Sequence, residues 1–315
     1  MDTQVVFFGD SVGMLRAGDL AAEAVHWWEL AGHDSADLAQ AWAQAHHAIR
    51  LAGLVGKSWA SPRGDGQHAA MTWYSGQGLL DGLFASEPVA GDRPMRGVIR
   101  LWNLDLLFVE ESGAPIDQTE LVGITLNDAR NWMIRAIEQQ AGKPNRAVPE
   151  NQSTPEHPVA ASAKFGGLSQ MAHAELLRLY GNTASVLEQV SWTVDGASPV
   201  RMWPHSFELS TQVMLSKDEK MPPKLVVMGL APPGKLSAGG YWYVAPWRSN
   251  VVSEHDSWDT LPVGDWVTGK NELPIAVLPI EDIVESEDPA VQHNRVAEFF
   301  ATAFNISGAN LSTGE

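Results

Sequence analysis

Two long stretches of helical periodicity, each leading through a turn into strand-like segments, constrain the fold of this chain most. From Ser35 to Ser58, the residues Leu38, Ala41, Trp42, Ala45, Ala48, Ala52 and Val55 recur at helical spacing, with Ser35 placed as a cap and Pro62 beyond the end. A turn cluster at Ser61–Gly66 follows, then a strand over His68–Tyr74. The second long helix is predicted from about Leu168 to Trp192, with Gly181 as its weak point. It leads through a turn at Asp195–Pro199 to a strand-like segment over Val200–Leu215. Helices that precede groups of sequential strands predict an α+β fold with antiparallel sheet. The repetition of helix, turn and His-bearing strand predicts two similar halves, each a long helix plus antiparallel sheet, packed into one compact unit.

The organisation expected on this basis has five parts. Residues 1–34 form an N-terminal extension, with a strand over 4–8 and a helix over Ala21–Leu30. The first half, 35–142, adds strands at Gly97–Trp102, Asp105–Glu110 and Glu120–Ile124, with Glu111-Ser112-Gly113 as a hairpin turn. It closes with a helix capped by Thr125, striped by Ala129, Trp132, Met133, Ala136 and Ile137, and stopped by Gly142 and Pro144. Residues 143–167, rich in Pro, Ser, Asn and Ala, read as a linker. The second half, 168–304, adds strands at Lys224–Leu230, Tyr241–Trp247 and Ile275–Leu278 and a closing helix over Val291–Phe304. Its 249–274 stretch is irregular, with Trp258 and Trp266 as anchors, and 305–315 is a frayed tail.

Composition narrows the function classes. The 21 basic and 38 acidic side chains leave a net charge of −17, which repels phosphate backbones and anionic lipid. Neither nucleic acid nor membrane is an expected partner, and no apolar run approaches the ~20 residues that span a bilayer. The absence of cysteine excludes disulfides, thiolate nucleophiles and Cys-ligated metal. It fits a cytoplasmic location, and the N-terminus lacks the basic region of a signal peptide. Among 315 residues there are 13 tryptophans; most such rings fill cores, and a minority line pockets.

Alternation along Arg201–Ser210 would put Trp203, His205, Phe207 and Leu209 on one face, with Met202, Pro204, Ser206, Glu208 and Ser210 opposite. His205 between aromatic rings suits either a binding wall, donating to a ligand or taking a proton near neutral pH, or a core histidine bonded to a carbonyl. His68 could face it across the two halves. With Asp65 or Glu208 the two imidazoles would make a two-His, one-carboxylate set for Zn or Fe(II), so a divalent metal is one possible cofactor. Tyr241 and Tyr243 share a strand face, Trp242 lies opposite, and these with Trp247 and Trp73 could stack a planar or sugar-like ligand or simply pack. Glu23-x-x-His26, the helical pair His46-His47 and Glu254-His255-Asp256 are weaker signals. Neither a Walker loop nor a G-x-G-x-x-G fingerprint occurs.

Two resemblances add to this. The segments SPVRMWPHSFELST, VVMGLAPPG and GGYWYVAPW resemble a bacterial family of unknown function, marked by a W-P-H-H-F-D strand, a G-x-S-P-G segment and a Y-x-Y-V-x-P-W strand. The likeness extends to Asp65-Gly66-Gln67-His68 before Trp73, and to Leu121–Trp132. His68, Trp203, Pro204, His205, Phe207 and Trp247 match its pattern, whereas Ser206 stands for its second His, Glu208 for its Asp and Lys235 for an acidic residue. The resemblance implies no activity. Separately, VVFFGDSVG resembles the first block of GDS-type esterases, which would make Ser11 a nucleophile. Counterparts of their later blocks are missing: Leu126-Asn127-Asp128 lacks a preceding Gly, and Asp288 and His293 are wrongly spaced.

The leading expectation is a small-molecule-binding protein with its pocket where the halves meet, near Trp203, His205, Tyr241, Tyr243 and His68. The alternatives are a metal-assisted enzyme using His68 and His205, an esterase using Ser11, and a scaffold whose rings only pack.

Overall fold

The computed structural model describes residues 14–20, 27–32, 35–75, 81–89, 94–167, 169–216, 223–248, 258–268 and 273–313. In chain order the elements are α1 (Ala17–Leu20), α2 (Ser35–Trp59), β1 (Met71–Tyr74), β2 (Leu83–Ser86), β3 (Met95–Arg100), β4 (Asp105–Glu110) and β5 (Pro115–Glu120). Then come α3 (Leu126–Ala141), α4 (Gln170–Thr193), β6 (Arg201–Trp203), β7 (Glu208–Met214), β8 (Lys224–Ala231), β9 (Tyr241–Arg248), β10 (Asp265–Val267), β11 (Ile275–Pro279), α5 (Glu281–Val284) and α6 (Pro289–Thr313). The protein is a mixture of helix and antiparallel sheet, as the sequence predicts. The chain forms two compact units: one holds His33–Gly181 and Arg201–Glu208, the other Met1–Gly32, Asn182–Val200 and Leu209–Glu315. The division falls inside α4 and returns residues 201–208 to the first unit, so these bounds differ from the expected 35–142 and 168–304. Helix α4 has buried residues in both of its halves, Leu176 and Leu177 before the division and Val186, Leu187 and Val190 after it, which is why Gly181 does not end it.

In the first unit the strands lie in the order β6-β1-β2-β3-β4-β5, all antiparallel. Helix α2 packs on β2, β3 and β4, and its small residues Ala41, Ala45, Ala48 and Ala52 are buried there. The approach is close enough that a Cβ on Gly97 of β3 would lie 2.6 Å from the Ala52 carbonyl. The Glu110–Gly113 turn joins β4 to β5 with Gly113 at φ +85°, the positive φ that glycine supplies without strain. Helix α3 starts as expected: the Thr125 side chain accepts from the Asp128 amide at 3.1 Å and donates to its carboxylate at 2.7 Å. Trp132, expected on its buried stripe, is only half-buried.

Residues 143–167, expected as a linker, are strapped along α2 instead. Arg146 caps the C-terminal end of α2 by donating to the carbonyls of Gly56, Lys57 and Ala60. Further along, Arg50 donates to the Thr154 carbonyl, His47 to that of Pro155 at 2.9 Å, and Gln44 to that of Gly166 at 2.9 Å. Lys164 and Phe165 make backbone bridges to Thr125 and Val122, but elsewhere prolines interrupt the segment's hydrogen bonding, and the carbonyls of Thr154, Pro155 and Gly166 are satisfied by side chains of α2.

In the second unit the order is β10-β11-β9-β8-β7, again antiparallel. Helix α6 packs on β8, β9 and β11 through Val296, Phe299, Phe300 and Phe304, all fully buried. It continues to Thr313, which corrects the expected frayed tail: Asn305 holds both the amide and the carbonyl of Leu15, at 3.2 and 2.8 Å, and Leu311 is buried. The expected helix over Ala21–Leu30 is also corrected where described, since residues 27–30 are irregular. Gln292 organises them, accepting from the Trp27 indole and the Leu30 amide and donating to the carbonyls of Leu30 and Ser286. Gln292→Leu is expected to destabilise the protein by about 2 kcal/mol, by stranding those buried groups. Limited proteolysis should then cut near residues 27–32 faster than in the wild type; equal rates would show that Gln292 does not hold the segment. The predicted strand over 4–8 and Ser11 lie outside the described residues, as do Glu23, His26 and Glu254–Asp256.

Candidate functional site

The segment expected as one strand over Arg201–Ser210 is two strands separated by a turn. Strand β6 ends at Trp203, and Phe207 takes φ +60° with its amide donating to the Trp203 carbonyl at 2.7 Å. The turn breaks the expected alternation. Phe207 is fully buried and His205 is exposed, so they do not share a wall, although the Trp203 ring stands edge-on to His205 at 6.2 Å.

Side chains of the first unit build this turn. Tyr180, fully buried on α4, accepts from the Trp42 indole at 3.0 Å and donates to the Phe207 carbonyl at 2.8 Å. Its ring stacks on Phe207 at 4.9 Å, and burial raises its phenol well above the ordinary value. Helix α2 supplies the rest: His46 donates to the His205 carbonyl at 3.2 Å, and Arg50 donates to the carbonyls of Pro204 and His205 at 3.3 and 2.8 Å. Gly53 makes room, since a Cβ there would meet Pro204 at 2.8 Å.

Beside the turn lies a cavity of about 70 Å3, wholly within the first unit. His47, Arg50, Leu54 and Lys57 of α2 form one wall; Ala69, Leu126, residues 149–152, Pro204 and His205 complete it. Its lining carries the cations Arg50 and Lys57 against one carboxylate, Glu150, so the balance is basic. Burial lowers Arg50 to about 10, which leaves the guanidinium ionised at neutral pH. Among the described residues no carboxylate forms an ion pair with it. Partial desolvation, then the charges of Lys57 and Arg50, hold His205 below its ordinary value even though its ring is exposed. Burial also lowers His47, offset by its bond to the Pro155 carbonyl. A space of this size takes water or one small polar group, against the ~300–1,000 Å3 of pockets that enclose whole drug-sized ligands.

The other residues expected at a site are placed as follows. His68 lies on a 3-10 turn, Gln67–Ala69, before β1, and its Nδ1 accepts from the Arg63 amide at 3.1 Å. Asp65 is exposed, accepts from the Gln67 amide at 3.0 Å and pairs with Arg63 at 3.3 Å. Among the described residues no three His, Asp or Glu side chains come together as a metal requires. Trp73 is buried edge-on against Phe84 at 4.9 Å, and Glu208 is half-buried at the start of β7. Tyr241, Tyr243 and Trp247 belong to the second unit. There Tyr241 and Tyr243 meet at 6.3 Å on one face of β9, while Trp242 is buried on the other and donates to Thr183 at 2.8 Å. They do not line the cavity.

Sequence reasoning missed Arg50 and Lys57. The signal was available: His47, Arg50, Leu54 and Lys57 follow at intervals of three and four, a basic edge on an otherwise apolar helix. No protein-family model matches the chain, and neither a curated protein nor a solved structure matches it.

Proposed function

We propose that the protein binds a small molecule through an anionic group, a carboxylate or a phosphate, seated between Arg50, Lys57 and His205. The observation that carries this reading is the guanidinium of Arg50. In a chain with 38 acidic side chains, this ionised group bonds to carbonyls, and although Glu150 also lines the cavity, no carboxylate among the described residues forms an ion pair with it. Carbonyls solvate a guanidinium without neutralising it, and an incoming anion adds charge-assisted hydrogen bonds. Three of its five N–H groups are spent on carbonyls, which leaves donors for a ligand. Lys57 adds a second positive charge at the opening. The neutral imidazole of His205 donates one hydrogen bond, or takes up a proton as the anion cancels the charges that suppress its protonation. The cavity holds the anionic head and leaves the body of the ligand outside, over residues 149–152. The likeness of WPHSFE to the W-P-H-H-F-D segments supports the same site: Trp203, Pro204, His205 and Phe207 each have a separate task in this turn, and His205 alone of them reaches the cavity with its ring exposed.

Thermal shift with inorganic phosphate and with acetate tests this. Ligand at about ten times its Kd adds about 1.4 kcal/mol of stability. The wild type is expected to be stabilised saturably, more at pH 6 than at pH 8. Lys57→Gln, which leaves the turn's hydrogen bonds intact, should lose most of the response. Equal stabilisation of the wild type and Lys57→Gln by both anions would sink the reading and leave Arg50 as a strut of the turn.

A further inference from the structure

Beside the two cations of the anion cavity stands one negative charge, on Glu150. We infer that the ligand is an amino acid, with its carboxylate on Arg50 and Lys57 and its ammonium group on Glu150. This rests on the anion-binding reading of the cavity and adds the ligand's second charge.

The neighbours of Glu150 hold its backbone in place. Arg130 of α3 donates to the Pro149 carbonyl through Nε and Nη2, at 3.3 and 3.0 Å, and Arg50 of α2 donates to the Thr154 carbonyl. The stretch from 149 to 154 is therefore tied down at both ends, and the proline ring fixes φ at the residue before Glu150. A carboxylate on a segment already ordered spares a ligand part of the ordering cost of binding. Its side chain is exposed on the cavity lining, so a ligand reaches it without any movement of the core.

Charge decides the ligand class. Arg50, Lys57 and Glu150 line one space, yet among the described residues neither cation forms an ion pair with that carboxylate. Opposite charges that share a cavity without joining leave each able to bond a different group of one ligand. A simple carboxylate satisfies the cations but comes under repulsion from Glu150, and a phosphate dianion meets more of it. An ammonium group on the same ligand reverses the sign. It turns the like-charge contact into a charge-assisted hydrogen bond, because ammonium only donates and an ionised carboxylate only accepts. Asn151 and Gln152, next along the same lining, are neutral amides, so the negative charge of this wall is concentrated at Glu150. The carboxylate of the ligand enters the cavity of about 70 Å3, and the ammonium group stays at its edge.

Propionate, L-alanine and β-alanine test this, because each amino acid differs from propionate by one ammonium group. The full chain is titrated with each at pH 7 and read at the His205 ring by NMR. All three should shift it saturably, with the better amino acid about fivefold tighter than propionate, as the upper range of an exposed ion pair allows. Glu150→Gln leaves the hydrogen bonds of the turn intact and should move the two kinds of ligand in opposite directions. Amino acid binding weakens, propionate binding strengthens, and the preference disappears; a purely structural Glu150 would move both alike. Suppose propionate binds and needs Lys57, but neither amino acid is tighter, or the preference survives in Glu150→Gln. That result would overturn the inference and leave the anion site standing. Saturation by none of the three would overturn the anion-binding reading, and this inference with it.

Discussion

Replacing Tyr180 by phenylalanine is expected to destabilise the protein by about 3 kcal/mol, a large loss for one oxygen atom. The hydroxyl accepts from the Trp42 indole and donates to the Phe207 carbonyl, and all three residues are buried. Its removal leaves a donor and an acceptor unsatisfied together, each costing about 1–3 kcal/mol. The ring stacks on Phe207 and the edge contact with Phe84 survive the change, so the loss isolates the two hydrogen bonds. The conformation at risk is that of Phe207, a non-glycine residue at φ +60°, which surrounding contacts must hold in place. Tyr180→Phe should therefore weaken phosphate or acetate binding beside His205 as well as lower the urea midpoint. A fall below about 1 kcal/mol, with anion binding unchanged, would mean that the turn is held by Arg50 and His46 without Tyr180.

Acid should destabilise the fold well before its surface carboxylates titrate, with His46 as the largest contributor. Burial, then the charge of Arg50, lowers this imidazole from 6.5 to about 3. The folded state binds fewer protons than the unfolded state between those values, so stability is fully present above pH 6.5 and is lost as pH falls towards 3. For His46 alone the loss is about 2 kcal/mol between pH 7 and pH 5, rising to about 4 kcal/mol near pH 3. His47, His173, His205 and His293 are lowered as well and act in the same direction. Glu188 is raised by burial and opposes them, since the folded state favours its protonated form. Urea midpoints at pH 7, 6 and 5 should show this slope in the wild type. His46→Gln, whose amide can still donate to the His205 carbonyl, should flatten it. An unchanged slope would assign the acid sensitivity to other groups.

Much of the candidate site was written into α2 and went unread. His46 and His47 were noticed as a pair, and neighbours on a helix do diverge: one takes the His205 carbonyl and the other that of Pro155. Arg50 and Lys57 complete the same stretch but have no meaning until a partner segment is known. His205 lines a cavity, but not through strand alternation: the sequence pattern puts it on one strand face with Phe207, whereas a turn separates the two. Residues 149–157 illustrate the converse: their composition reads as linker, and the carbonyls of Thr154 and Pro155 are claimed by a helix about a hundred residues earlier in the chain.

What the amino-acid order determined by itself is what depends on near neighbours. Helices α2, α3 and α4, strand β4 with the turn after it, and strands β8, β9 and β11 follow from periodicity, caps and turn residues within a few positions, whereas β5 lies at Pro115–Glu120 and not at the expected Glu120–Ile124. Only the tertiary structure decided the rest. Tyr180 sets the turn at Phe207 from 27 residues away, and Asn305 secures Leu15 across 290. Hydrogen bonds and burial at such separations leave no local pattern, because either partner alone is an ordinary polar side chain until the fold brings the other to it.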